Sequence, residues 1–200
     1  MIRRPRGRHP GRARPHDPAC RRINEWAPGM TDDKPAIRPH RDLMILETED
    51  WVINHRVDSA LPGYLILATR MPTNELCLLD PRALAELGKL LAKAQLALNA
   101  ILNPEHLYIG RYGHMAGHAL HFHIIPVCGW VKQSFFRDPR YRALQALSER
   151  PAADETDGAE LTLFIWREFC ERRDPPAISG PSVDEVVDRL KILMAGAGTS

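Results

Sequence analysis

A chain of 200 residues with 44% apolar and 26% charged side chains can build one ordinary domain with a real core, which excludes a wholly disordered or collagen-like protein. No run approaches the roughly 20 apolar residues of a membrane span, and no signal-like apolar stretch follows the start, so a soluble cytoplasmic protein with no membrane partner is expected. The net charge of +2 hides an asymmetry: residues 1–22 carry eight Arg and one Asp, about +7, leaving about −5 on the other 178 residues. The positive charge thus belongs to the tail, and nucleic acid is not expected as a partner of the globular part. Cys20, Cys77, Cys128 and Cys170 lie far apart with no C-x-x-C pair, which argues for reduced thiols rather than a zinc ribbon or a disulfide framework.

Residues 1–29 are rich in Arg, Pro and Gly and almost free of periodic apolar residues, so they are expected to form a disordered basic extension. Next, Leu43 to Asp58 holds two short apolar runs around the acidic pair Glu49-Asp50, which reads as a hairpin. Pro62-Gly63 makes a turn, and Tyr64 to Thr69 reads as a buried strand. Asp80-Pro81 opens the clearest helix, with Leu84, Leu87, Leu91, Ala94, Leu98 and Ile101 on its inner stripe and Asn103-Pro104 at its end. Leu107 to Tyr112 reads as a strand, and Gly113 to Gly117 as a turn. Beyond Trp130, Asp138-Pro139 signals a short helix carrying Tyr141, Leu144 and Leu147, followed by a polar linker over 149–158. Asp157 and Glu160 resemble a capping box before Leu161, Phe164, Ile165 and Phe169, and Ser182-x-x-Glu185 caps a last helix with Val186, Leu190 and Leu193 inward.

The segment Gly117-His118-Ala119-Leu120-His121-Phe122-His123-Ile124-Ile125-Pro126 carries the chemistry. In a strand, side chains two apart share a face, so Leu120, Phe122 and Ile124 look into a core while His121 and His123 stand together opposite, roughly 6–7 Å apart at about 3.3 Å per residue. Pro126 is expected to close this strand. A histidine accepts and gives protons near neutral pH and is a competent nucleophile toward phosphorus. The glycine-flanked turn that precedes the strand, with His114 in it, has a backbone able to turn N–H groups toward phosphate oxygens. A metal site on His118, His121 and His123 is a competing reading, but it would want a carboxylate, and none occurs between residues 107 and 137.

His-φ-His-φ-φ-Pro, with φ apolar, resembles the signature of the histidine triad (HIT) superfamily of nucleotide hydrolases and transferases, His-φ-His-φ-His-φ-φ. The order strand, strand, helix, strand, glycine turn, histidine strand over about residues 43–127 is similar to that family's order as well. The resemblance implies an α+β fold: a HIT-like antiparallel sheet with a packed long helix and C-terminal helices. It divides the chain into the basic extension at 1–29, a HIT-like domain at 30–136 and a C-terminal helical extension at 137–200. His121 falls on the family's nucleophile and His123 on the third histidine. Position 119, where the first would stand, is Ala, with His118 one residue earlier. Tyr64 replaces the histidine of the relatives' Pro-Gly-His and is expected near the phosphates. Arg56, flanked by Asn54 and Asp58, stands where relatives place a ribose-binding group. The resemblance therefore implies catalytic roles for His121, His123 and His118, substrate contacts at Asn54, Asp58, Tyr64, His114 and Gly117, and no metal or cofactor. Its expected activity is hydrolysis or transfer at the α-phosphate of a nucleotide conjugate, such as a dinucleoside polyphosphate or nucleoside phosphoramidate, in a homodimer. The alternative is a catalytically inactive HIT-fold module that binds nucleotides or a protein.

Overall fold

The structure, a computed structural model, describes residues 41–112, 118–141, 156 and 158–196. The basic extension, the Gly113–Gly117 turn with His114, and Leu144, Leu147 and Asp157 lie outside the described residues. Five strands form one antiparallel sheet: β1 (Met44–Glu47), β2 (Trp51–His55), β3 (Leu65–Thr69), β4 (His106–Gly110) and β5 (His121–Val127), in the order β1-β2-β3-β5-β4. Among the described residues, four helices accompany it: α1 (Pro81–Leu102), α2 (Gly129–Arg137), α3 (Gly158–Ile165), continued by a π-helical segment (Trp166–Glu171), and α4 (Val183–Gly196). The chain is therefore α+β, with the long helix, the antiparallel sheet and the C-terminal helices expected.

Alternation along the strands assigns the two faces of the sheet. Trp51, Ile53, Leu65, Leu67, Leu120 and Ile124 point to one side, where α1 and α4 cover them, and Phe122 packs on the same cluster. Trp51 is fully buried, and its indole N–H donates to the Ala83 carbonyl at 3.0 Å, tying sheet to helix. The other face carries Ile125 and Val127, which pack with Leu61, Tyr64, Val131, Phe135, Leu161, Phe164 and Phe169. So α2, α3 and the π-helical segment cover only part of that face, and the histidines of β5 stand on the remainder.

Several local expectations are corrected. Of the expected inner stripe of α1, Ala94 and Leu98 are buried and Leu87, Leu91 and Ile101 pack half-buried on the same core, joined by Ala83, Leu90 and Ala97, but Leu84 is exposed. Asp80 makes no side-chain cap bond; Pro81 at the first helical position starts the helix by its fixed φ. In α4 the inward residues are Val186, Val187, Leu190 and Met194, while Leu193 is exposed. β5 does not stop at Pro126 but runs to Val127, since β3 begins only at Leu65, opposite Ile124, and β4 alone flanks the proline. Helix α2 was not expected, and after Asp138-Pro139 the described residues hold only a 3-10 turn, Pro139–Tyr141. The capping box of α4 forms as read: the Ser182 N–H donates to Glu185 Oε2 at 2.7 Å and the Glu185 N–H to Ser182 Oγ at 3.3 Å.

Candidate active site

Pairing across the sheet brings the site residues into two rows. Asn54, Ile66, His123 and Gly110 are consecutive partners from β2, β3, β5 and β4, and Val52, Ala68 and His121 form the next row. Paired residues of antiparallel strands share a face. The start of β5 is pinned from both directions: the Leu120 N–H donates to the Thr73 carbonyl at 2.7 Å, and the Leu120 carbonyl accepts from Thr69 at 2.9 Å. These bonds fix the backbone immediately before His121.

His121 Nδ1 lies 2.8 Å from the Ala119 carbonyl. A carbonyl only accepts, so Nδ1 carries the proton and the Nε2 lone pair is left free. This is the state a nucleophilic imidazole needs. Alanine at 119 offers no side-chain chemistry, but its backbone carbonyl sets the tautomer of His121. The rings of His121 and His123 stand 5.1 Å apart between centroids, and His118 lies 6.4 Å from His121 on the other flank. The buried Nδ1 of His118 has no hydrogen-bond partner among the described residues. Three imidazoles thus follow one another with His121 in the middle.

His123 is 6% exposed. Its Nδ1 is 2.9 Å from the hydroxyl of Tyr64, which precedes β3 and is itself buried. Tyr64 therefore meets His123 directly and stands behind the imidazole. On its far side, the Tyr64 oxygen accepts from Arg56 Nη1 at 2.9 Å. Arg56 also grips Asp58 through Nε at 2.6 Å and Nη2 at 2.9 Å. Its guanidinium lies 5.1 Å from the Tyr64 ring centre and 4.9 Å from that of Trp166, the first residue of the π-helical segment. Tyr112 closes the other side of His123, edge-on at 5.3 Å. Gly110 makes this possible, because a Cβ there would come within 2.7 Å of the Tyr112 ring.

Burial pushes the His123 imidazole down to about 4, with the neighbouring His121 and Arg56 acting in the same direction and Asp58 against them. Burial likewise pushes the Tyr64 phenol up to about 12. Burial works against the charge of Arg56, but Asp58 and Tyr64 outweigh it and raise its pKa, and the Arg56 guanidinium holds the Asp58 carboxyl below the usual range.

The sequence-derived residues thus divide. His118, His121, His123 and Tyr64 come together, with Asp58 linked to them through Arg56. Asn54 lies two strands from His123 in its row, about 10 Å at the usual strand spacing, and turns its amide N–H to the His55 carbonyl at 2.7 Å. His114 and Gly117 lie outside the described residues. Tyr112, Gly110 and Trp166 join the site without having been expected there; a glycine inside a strand pattern, marking a close approach, was the available signal. Among the described residues no group of three or more His, Cys, Asp and Glu is disposed to hold a metal ion, and no helix is long and apolar enough to cross a membrane.

The fold and the paired imidazoles define an α+β arrangement consistent with the histidine triad fold. No family model and no curated protein matches the sequence. Among solved structures, the chain is similar to a Hit-like protein involved in cell-cycle regulation from Bartonella henselae, 12% identical over 81% of this chain and 89% of that one, with a TM-score of 0.43. It is similar to a hypothetical histidine triad nucleotide-binding protein from Sulfolobus tokodaii, 17% identical over 90% and 98% of the chains at a TM-score of 0.41. A uridylyltransferase is 14% identical over 80% of this chain and 43% of its own, at a TM-score of 0.47.

Proposed function

We propose that the chain hydrolyses or transfers at the α-phosphate of a nucleotide conjugate, such as a dinucleoside polyphosphate or a nucleoside phosphoramidate, through a nucleotidyl group carried on His121. The observation that supports this is the Nδ1 bond of His121 to the Ala119 carbonyl, which leaves Nε2 as a free lone pair beside a second, buried imidazole. The Nε2 lone pair attacks phosphorus, a P–N bond forms, and the bond from phosphorus to the leaving group breaks, its electron pair departing with that group. The positive charge gained by the ring is shared by Nδ1–H, whose bond to the Ala119 carbonyl strengthens as charge develops. Water or an acceptor hydroxyl then attacks phosphorus, the P–N bond breaks, and the incoming group's proton leaves to solvent. His123 donates to a phosphate oxygen across this sequence.

Turnover of a panel of adenosine and guanosine conjugates tests the reading. Release of nucleoside monophosphate by the native chain, lost by several powers of ten in His121→Ala with an unchanged melting temperature, supports it. Alanine at 119 favours a second reading, a nucleotide-binding module without turnover. Saturable nucleotide binding with no product from any conjugate would select that one.

A further inference from the structure

We propose that Arg56 and Tyr64 are positioning residues that lock His123 as a neutral imidazole with its proton on Nε2, so that His123 serves as a hydrogen-bond donor and the leaving group takes its proton from elsewhere. The role in turnover rests on the phosphoryl-transfer reading above; the lock itself does not. It follows from counting protons along the chain Asp58–Arg56–Tyr64–His123. A guanidinium has donors only, so in the 2.9 Å contact between Arg56 Nη1 and Tyr64 the phenol oxygen must accept. The phenol has one proton, and its other close partner is His123 Nδ1 at 2.9 Å. That proton therefore points at Nδ1, which must be bare. If Nδ1 carried a proton, the phenol oxygen would have to take it on its second lone pair, and the phenol proton, on a residue 1% exposed, would be left with no acceptor among the described residues.

Arg56 has little freedom to release this arrangement. Two of its nitrogens are held by Asp58, its face lies against Trp166, and its side chain is 11% exposed. Among the described residues, the charged and titratable groups around His123 come from several elements. His121 stands on its own strand, His118 precedes that strand, and Tyr112 follows β4. Tyr64 precedes β3, and Arg56 and Asp58 follow β2, while Cys170 from the π-helical segment acts on the Arg56–Tyr64 pair. Among the described residues only Asp58 favours a cationic His123, and its carboxylate is already engaged by Arg56. Nε2–H remains as the ring's polar atom with no acceptor among the described residues, available to a phosphate oxygen.

Nitrogen-15 NMR of the histidine rings in the native full chain tests this without substrate. His123 is expected to show a bare Nδ1 and a protonated Nε2 from about pH 5 to 8, where an ordinary histidine titrates near 6.5. In Tyr64→Phe, His123 should regain a titration within that window. The low-pH limb of kcat should then move upward by about one unit, as the newly protonatable ring charges. Arg56→Met should produce a smaller change in the same direction. A proton on Nδ1 in the native chain, or titration of His123 near 6.5 there, overturns the proposal whatever the variants do. So does a Tyr64→Phe spectrum identical to the native one. Absence of turnover with the lock intact would instead retire the enzymatic reading.

Discussion

Gly63 has φ of +79°, a conformation that L side chains rarely adopt, and it directly precedes Tyr64. Gly63→Ala combines two costs. The left-handed backbone costs an L residue about 1–2 kcal/mol. The added Cβ would stand 2.7 Å from Leu102 Cδ1 and 2.9 Å from Leu98 Cδ2. Leu102 is half-buried and can give way, but Leu98 is fully buried in the core under α1. Overpacking of this kind costs about 1–3 kcal/mol. Together they amount to roughly 2–5 kcal/mol, and at about 2–4 °C per kcal/mol for a chain of this size the melting temperature should fall by roughly 4–20 °C. Because any relief moves the turn that carries Tyr64, turnover should fall as well, through the Tyr64–His123 bond. Gly88→Ala is the internal control. Gly88 lies within α1, and a methyl group added there would meet nothing within 4 Å, so alanine should raise stability by about 0.5–1 kcal/mol. Thermal melts of both variants read the difference in sign. A Gly63→Ala loss under about 2 °C, or a fall in both variants, would mean that a side chain at 63 is not strained there.

Two further predictions concern stability. Ser182→Ala removes half of a formed capping box at the start of α4, whose inner face is part of the main core, and should cost about 0.5–2 kcal/mol in a denaturant titration; no change would mean the helix start is held by packing alone. His123 has a folded pKa depressed to about 4 from an unfolded value of about 6.5, so the unfolded state binds more protons between these limits. Its contribution to stability is therefore complete above about pH 6.5 and is lost as pH falls toward 4. The stability difference between the native chain and His123→Gln should be flat above pH 7 and should shift in favour of the variant as pH falls, measured by urea unfolding across that range; a difference independent of pH contradicts the burial of a neutral imidazole.

The strand that carries the chemistry was legible because its pattern has two consistent halves. Leu120, Phe122 and Ile124 face the core of α1 and α4, and His121 and His123 therefore share the other face. The ends of α1 and the cap of α4 were legible because Pro81, Asn103 and Ser182 act locally. Helix α2 was not, since Gly-Trp-Val-Lys-Gln-Ser-Phe-Phe-Arg is short and its apolar residues, Val131 and Phe135, gain their place only from the far face of the sheet. The environment of His123 was hidden for a related reason. Tyr64 lies 59 residues from His123, Arg56 reaches Tyr64 across a turn, and Trp166 comes from the far end of the chain. Only the folded sheet gathers these groups around one line of hydrogen bonds. Arg56, which stands where the resemblance puts a ribose-binding group, is held by Asp58 rather than open to a substrate.

A covalent bond from His121 Nε2 to phosphorus, as proposed, can be caught directly. Rapid quenching of the native chain with a nucleotide conjugate that it turns over, at neutral to basic pH to preserve the acid-labile P–N bond, followed by peptide mass mapping, tests it directly. A nucleotidyl group should be found on the peptide carrying His121, localised to that residue by fragmentation, absent in His121→Ala and retained in His123→Ala. An adduct on His118 or His123, or full turnover by His121→Ala, would contradict it.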